Sequence, residues 1–398
     1  MSEVTLDFIA DGDGLISDGD WIESKDQDSA GTIRLIQLAD IGDGQFLNKS
    51  RKFINDATLT HLNCTLLKKG DVLIARMPDP LGRACVFPAI EQRAITAVDI
   101  CIVRPNFNKV DSEWLAFRIN AVDLRREIQS HAQGATRARV PTGKLKSITF
   151  KLPLIVDQRQ IAARLKAQLA EVEAARQAAQ VQLSDTRLLR ARLLKAFFAE
   201  LDAAPKKKLG DYAQTTSGST PSRGNKQYWQ PAEIAWVKTG EVAFAPITAT
   251  VEAISKLALA ECSLSLLPPK TILIAMYGQG KTRGQSAILE IPATTNQACF
   301  AILPNETWEP DFLCLWLKSS YQDLRDLSED RGGNQANLNG ALLKALEVPA
   351  PSKTEQQHIV ARIQAAMTEI DALENSSKAA LEDINRLPSR VLAQAFEV

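Results

Sequence analysis

LPLIVDQRQIAARL, residues 152–165, and VPAPSKTEQQHIVARI, residues 348–363, are two versions of one segment, and their spacing decides the fold. Residues 153–198 and 351–396 align without a gap at a constant offset of 198. Pro153 matches Pro351, Asp157-Gln158 matches Glu355-Gln356, Ile161 matches Ile359, and Ala163-Arg164 matches Ala361-Arg362. Further along, Glu171 matches Glu369, Leu183 matches Leu381, Arg192 matches Arg390, and Phe198 matches Phe396. Residues 157–200 and 355–397 contain almost no glycine, and their one proline, Pro388, predicts a kink or stutter in the second copy. Apolar residues recur at Ile161, Leu165, Val172, Ala175, Ala179 and Leu183 in the first copy. In the second they fall at Ile359, Ile363, Ala366, Ile370, Leu373, Ile384, Leu387 and Val391, with the 4,3 spacing broken around Ser377. Such seams belong to coiled coils. Each stretch is a long helix spanning roughly 66 Å at 1.5 Å per residue, longer than a globule of this size needs. The natural partner of each helix is its own repeat. The competing expectation is that each helix folds back on its own globule.

The repeat continues upstream with small shifts. LIA at 73–75 recurs at 273–275, Gly82 corresponds to Gly284, Pro105-Asn106 to Pro304-Asn305, and EWLAF (113–117) to DFLCL (311–315). The chain is two copies of a unit of about 200 residues, too few for a solenoid. A pseudo-twofold internal repeat suits a partner that is itself twofold or bipartite. VLIARM (72–77), ICIVRP (100–105), TILIAM (271–276), CFAILP (299–304) and QSAILEIP (285–292) predict strands. EWLAFRINAVDLRREI (113–128) and PDFLCLWLKSSYQDLRDL (310–327) predict helices. The fold class is α+β: two mixed α/β globules and two long helices.

The 398 residues carry 47 basic and 47 acidic side chains, a formal net charge of zero. That balance argues mildly against a free-standing DNA-binding protein, whose nonspecific affinity comes from Lys and Arg on phosphates. The charges are segregated, however. Residues 1–30 hold nine acids and one base, Lys25, whereas Arg125, Arg126, Arg137, Arg139, Lys144, Lys146 and Lys151 face only Glu127. Such segregation permits a basic stripe on a neutral protein; an ordinary solvated surface is the alternative. Cys64, Cys85, Cys101, Cys262, Cys299 and Cys314 form no C-x-x-C pair and read as reduced core residues of a cytoplasmic protein. The start, MSEVTLDFIADGDG, lacks a signal-peptide pattern, and no apolar run approaches membrane-spanning length. Lys206-Lys207-Lys208 reads as a solvated linker after the first long helix.

AMYGQGKTRG (275–284) contains G-K-T, but Ala275 stands where a P-loop requires its first glycine. A Gly-rich hairpin carrying Tyr277, Gln279, Lys281 and Arg283 is the better reading. Arg can bond two acceptors on guanine and Gln can do so on adenine; an ordinary exposed turn is the alternative. The matching segment of the first copy, ARMPDPLGR (75–83), offers Arg76 and Arg83. Arg331, Asn334 and Gln335 lie in a Gly-rich stretch before the second long helix, where Asn and Gln could read a base edge, bond backbone or cap the following helix. Arg223, Lys226 and Lys238 are candidates for phosphate contact, which positions a protein without specifying sequence.

Over essentially its full length the chain resembles type I restriction–modification specificity subunits. The resemblance rests on the two quoted helix openings, on GGNQANLNGALLKALEVP (332–349), and on TTSGSTPSRGNKQYW (215–229), IAWVKTGEV (234–242) and TTNQACFAIL (294–303). It implies two target-recognition domains, residues 1–152 and 205–350, each reading one half of a split double-stranded DNA site. It implies that the helices, residues 153–204 and 351–398, pair as an antiparallel coiled coil, spacing the domains and docking two methyltransferase subunits. Motor-nuclease subunits join for restriction. S-adenosylmethionine is expected in the partner methyltransferase, with no cofactor or metal in this chain. The helix-pair residues are then Ile161, Leu165, Val172, Leu183, Ile359, Ile363, Ile370, Ile384 and Val391. The first copy departs from the pattern: it lacks the S-G-x-T-P-S opening of residues 217–222 and has QGATRARVPTGKL (133–145) in place of GGNQANL.

Catalytic constellations are not evident. His61, His131 and His358 stand in no metal-binding pattern, and no G-x-S-x-G or N/D-P-P-Y/F motif occurs. The chain reads as a non-enzyme. A DNA-modifying enzyme with an unrecognised site and a coiled-coil adaptor with no DNA role remain as alternatives.

Overall fold

The computed structural model describes residues 2–78, 80–134, 138–278, 280–329 and 337–396. Contacts divide the chain into two units, Met1–Gln180 with Ala379–Val398, and Val181–Lys378. Each unit therefore contains one globule and a part of each long helix.

In the first unit, Val72–Ala75 pairs antiparallel with Ala84–Val86 on one side and with Ile100–Arg104 on the other, and Leu15–Asp18 completes a four-stranded sheet. The quoted run Val-Leu-Ile-Ala is fully buried because both faces of its strand are covered, as continuous apolar runs require. Val72 and Ile74 face Trp114, Leu115, Leu124 and Ile128, while Leu73 and Ala75 face Ile36, Ile41 and Phe87. A three-stranded sheet holds Ile33–Ile36 between antiparallel Lys52–Ile54 and parallel Ala94–Thr96. Ser2–Thr5 pairs with Thr149–Leu152.

The second unit repeats every one of these sheets. Its four-stranded sheet runs Thr215–Ser217, Cys299–Ile302, Ile272–Ala275, Ser286–Ile288, and Ile234–Val237 lies between Glu252–Ile254 and Thr294–Thr295. Lys206–Lys208 pairs antiparallel with Glu347–Pro349. The three lysines are thus a strand and not a linker. Backbone pairing holds them there, with Leu209 buried just beyond, and three like charges in a row conceal this.

Each expected globule helix divides in two. Ser112–Asn120 is followed by Val122–Ser130, and Pro310–Ser319 by Tyr321–Glu329. At the first break Ala121 is extended, with φ −63° and ψ 144°. Here Asn120 is buried and its amide bonds both backbone groups of Ala84, at 3.0 and 2.8 Å, tying the helix end to a sheet strand.

The long helices run Ile155–Ala199 and Lys353–Phe396, and the second continues through Pro388. Their first turns dock on the globules through one device used twice. Gln158 is 0% exposed; it accepts from the backbone N–H of Asp111 (2.9 Å) and donates to the carbonyls of Lys109 (3.0 Å) and Pro153 (2.9 Å). Gln356, also 0% exposed, makes the same three bonds to Glu309, Thr307 and Pro351, at 2.8, 2.8 and 2.9 Å. All four residues differ by the 198 offset. The last turns dock by aromatic contact: Phe396 against Trp114 with centroids 6.3 Å apart, and Phe198 against Phe312 at 5.5 Å.

Of the nine seam residues, Leu165, Ile359, Ile363 and Ile370 are buried, and Ile161, Val172, Leu183, Ile384 and Val391 are half-buried. Within the first unit, Leu165 and Ala162 share a core with Leu392 and with the globule's Trp114. Within the second, Arg187 pairs with Glu374 at 3.4 Å, Arg190 with Asp371, and Arg362 with Glu200 at 3.3 Å. Docking on a globule and contact between helices occur on the same helices, so the two expectations do not exclude each other.

Acidic residues of the first unit, three of them within residues 1–30, meet basic residues of the same unit. Asp7 pairs with Lys146 at 3.4 Å, and Asp11, Asp18 and Asp43 pair with Lys109, Arg76 and Arg125. The segregation seen along the chain is thus partly cancelled in space. All six cysteines are free. Burial pushes the thiols of Cys85, Cys101 and Cys299 up to about 12, which keeps them protonated and inert.

Candidate nucleic-acid interface

The second unit gathers cations and aromatic rings on loops at the ends of its sheets. The S-G-x-T-P-S segment turns sharply after the strand Thr215–Ser217. Ser219 donates its N–H to the Thr295 carbonyl (3.0 Å) and accepts from the Trp236 indole (3.1 Å). Gly218 is required by space: a Cβ there would stand 1.8 Å from the Thr295 carbonyl oxygen. Beyond the turn, the Arg223 guanidinium lies 3.8 Å from the Trp229 ring centroid and 5.2 Å from that of Trp236. These rings meet edge to face at 5.2 Å. Arg223 also pairs with Glu252 at 2.6 Å, and Lys238 pairs with the other carboxylate oxygen at 2.8 Å. The two cations hold the Glu252 carboxyl below its usual range.

The loop between 237 and 252 is secured by Glu241, which accepts from the N–H groups of Lys238 (2.7 Å) and Val251 (2.9 Å). Asp40 does the same in the first unit, accepting from Gln37 (2.8 Å), Lys49 (2.6 Å) and Ser50 (2.8 Å). The Gly-rich loop after Ala275 is held from the helix Tyr321–Glu329. Tyr321 donates its hydroxyl to the Lys281 carbonyl at 2.6 Å, and Arg325 donates to that of Gly280 at 2.6 Å. Gly280 and Gly284 have φ of +77° and +86°, a left-handed backbone that explains these glycines. The Phe244 ring meets Tyr321 at 5.2 Å, joining the two loops.

The expected contact residues divide into three groups. Lys226, Tyr277 (41% exposed) and Lys281 are open to solvent, and Arg223 and Lys238 are the cations shared by Glu252. Arg76, Arg83 and Arg283 are turned inward, at 3, 7 and 7% exposure. The Arg83 fork donates to the carbonyls of Ile41, Pro80 (2.8 Å) and Leu38 (2.8 Å), closing its own loop. Arg76 bonds Asp18 and Thr142. The expectation that Arg76 and Arg83 project toward a groove is corrected for this conformation: both are buried, and the Arg83 fork and the Arg76 Nη1 bond the protein's own acceptors. Gln279, Arg331, Asn334 and Gln335 lie outside the described residues.

Sequence reasoning missed Gly19. The first unit keeps the glycine of the S-G-x-T-P-S turn without the rest of it. A Cβ on Gly19 would stand 2.1 Å from the Ala97 carbonyl, and Gly19 N–H bonds Ile100 at 2.8 Å. Its offset of 199 from Gly218 was the available signal. Trp229, Trp236 and Glu252 carry no signal of their own in the sequence, because cations, and not rings or acids, mark a DNA contact by residue type. Gly218→Ala is expected to destabilise the second unit by about 1–3 kcal/mol. Gly240→Ala, with nothing within 4 Å of its Cβ, should change stability by less than about 0.5 kcal/mol. Thermal melts of the two variants check this, and equal melts would remove the spatial argument.

Two like units, each with sheet-end loops and each carrying parts of two long helices, make up an internally duplicated chain. Residues 14–182 and 204–383 match the type I restriction modification DNA specificity domain, and the chain belongs to that family. It is 34% identical over 158 residues to the MjaIX type I restriction enzyme specificity subunit of Methanocaldococcus jannaschii, covering 38% of this chain and 35% of that one. It is 26% identical over 171 residues to the EcoR124I/EcoR124II specificity subunit of Escherichia coli, covering 43% and 41%. The matched stretches thus span about two fifths or less of these relatives' length. The fold is similar along 99% of the chain to the HsdS subunit from Thermoanaerobacter tengcongensis, covering 96% of it, with a TM-score of 0.63 and 17% identity. A chain from a study of complex assembly and conformational transition in the type I R-M system matches at a TM-score of 0.71, 17% identity, and 99% and 97% coverage.

Proposed function

We propose that this chain is the sequence-reading subunit of a type I restriction–modification complex. Each globule, residues 1–152 and 205–350, reads one half of a split double-stranded DNA target. The helical segments, residues 153–204 and 351–398, pair as an antiparallel coiled coil that sets the gap between halves. The single observation that carries this reading is the recurrence of every sheet, the buried glutamine and the terminal aromatic contact in both units. Two equivalent heads fit a bipartite ligand. The ion pairs Arg187–Glu374, Arg190–Asp371 and Arg362–Glu200 support antiparallel pairing, because partners descend on one helix as they ascend on the other.

In the second head, Lys226 and Lys281 meet phosphates and Tyr277 a base or sugar, a reading supported by their exposure. Gln279, Arg331, Asn334 and Gln335 remain proposed contacts on the basis of sequence. Two methyltransferase subunits dock on the helices and supply S-adenosylmethionine chemistry; motor-nuclease subunits add restriction. Among the described residues there is no group of three or more His, Cys, Asp and Glu that could hold a metal, and no helix is long and apolar enough to cross a membrane. The zero net charge implies weak DNA binding by the chain alone and tight binding by the assembly.

Methylome sequencing of cells expressing this chain with its methyltransferase partner tests the proposal. A split motif, methylated only when this chain is present, is the expected result. Stable copurification of the partner with no new motif would instead favour an adaptor with no sequence-reading role.

A further inference from the structure

We infer that Arg223 and Lys238 form a binding site for one DNA backbone phosphate, and that the Glu252 carboxylate occupies this site until DNA displaces it. The inference rests on the DNA-reading role proposed above. Each oxygen of Glu252 is held by a different cation, Oε2 by Arg223 at 2.6 Å and Oε1 by Lys238 at 2.8 Å. A phosphodiester also presents two anionic oxygens, so it can accept from the same two donors. The site is built in advance. Arg223 is stacked 3.8 Å from the Trp229 centroid, Lys238 is fixed by the bond from its N–H to Glu241 (2.7 Å), and Glu252 sits on a strand paired with Trp236.

An internal comparison supports a role beyond surface pairing. Ile33 pairs with Ile54 and Leu35 with Lys52 in the first unit, as Ile234 pairs with Ile254 and Trp236 with Glu252 in the second. Lys52 therefore stands where Glu252 stands, and Gln37 where Lys238 stands. Lys52 is exposed. At this strand position the second unit has an anion and the first a cation. A carboxylate that must be displaced penalises loose contact with any duplex, while a full set of base contacts offsets that penalty. The arrangement raises the discrimination of one half-site without touching a base.

The test measures binding of the assembled complex with its methyltransferase partner to a random-sequence duplex across a salt series. Glu252→Gln frees both cations, so its plot of log affinity against log salt should steepen by about one unit. Affinity at low salt should rise with it. On a duplex carrying the motif found by methylome sequencing, where base contacts displace Glu252, Lys238→Gln should weaken binding and flatten the slope. Wild-type slopes and affinities in both variants would overturn the phosphate site. If the wild-type complex itself showed no salt-dependent binding, the DNA-reading role would fail instead, so the two failures are separable.

Discussion

Replacing Gln356 by alanine is expected to destabilise the second unit by about 3 kcal/mol or more. Gln356 is fully buried and bonds three backbone groups, the N–H of Glu309 and the carbonyls of Thr307 and Pro351. Alanine satisfies none of them, and each buried group left unpaired costs about 1–3 kcal/mol. The contributions share one cavity and will not add fully. The three groups lie at the start of a globule helix and at the start of the long helix, so their loss should loosen the docking of one on the other. Gln158→Ala should have the same effect on the first unit, through Asp111, Lys109 and Pro153. Gln357→Ala, on an exposed side chain of the same turn, should be nearly neutral. Hydrogen exchange resolved by segment measures the loss in each unit. Protection unchanged to within about 0.5 kcal/mol in the Gln356 variant would show that water replaces the lost bonds.

The second large effect concerns target geometry. Inserting seven helix-forming residues after Gln180 and seven after Lys378 would lengthen both long helices by about 10.5 Å. Seven residues keep a seam of 3.5-residue repeat in register. If the helices set the gap between half-sites, the lengthening corresponds to about three base pairs at 3.4 Å each. Those base pairs also turn the second half-site by roughly 100° at 10–10.5 base pairs per turn. The inserted heptads barely rotate the second head, so DNA twist must absorb the difference. Methylation of the original motif should therefore fall at least tenfold, and weak methylation should appear at a gap about three base pairs longer. Inserting into one helix alone should abolish both, because seven added residues on one helix face no added partners on the other and the pairing must bulge or slip. Methylome sequencing reads all three cases. An original gap methylated at full strength after the double insertion would sink the ruler.

Much of this chain is legible without coordinates, for identifiable reasons. A gapless offset of 198 over the helices leaves little freedom: equal spacing of Pro, Gln, Ile and Phe repeats the same docking. The runs at 72–75 and 272–275 read as strands because both faces are buried, which demands uninterrupted apolar side chains. Lys206–Lys208 was illegible because its stability comes from backbone bonds to Glu347–Pro349, which side-chain pattern does not encode. The division of EWLAFRINAVDLRREI at Ala121 was illegible for a related reason, since Asn120 is drawn to a strand edge distant in sequence.

The candidate interface shows the same division more sharply. Residue type alone determined that the loops near 76–83 and 275–284 carry cations and glycines, and that the duplicated chain has two heads. Only the tertiary structure decided which cations face outward. An arginine has five donors and bonds whatever carbonyls the fold brings within reach. Arg83 meets three such carbonyls from Leu38, Ile41 and Pro80 and turns inward, whereas Arg223 meets a tryptophan face and one carboxylate and stays at the surface. The sequence by itself determined the duplication, the strands and the long helices, because these depend on local periodicity. The exposure of each charge depends on partners as distant along the chain as Arg187 and Glu374, 187 residues apart, and folding alone brings those into contact.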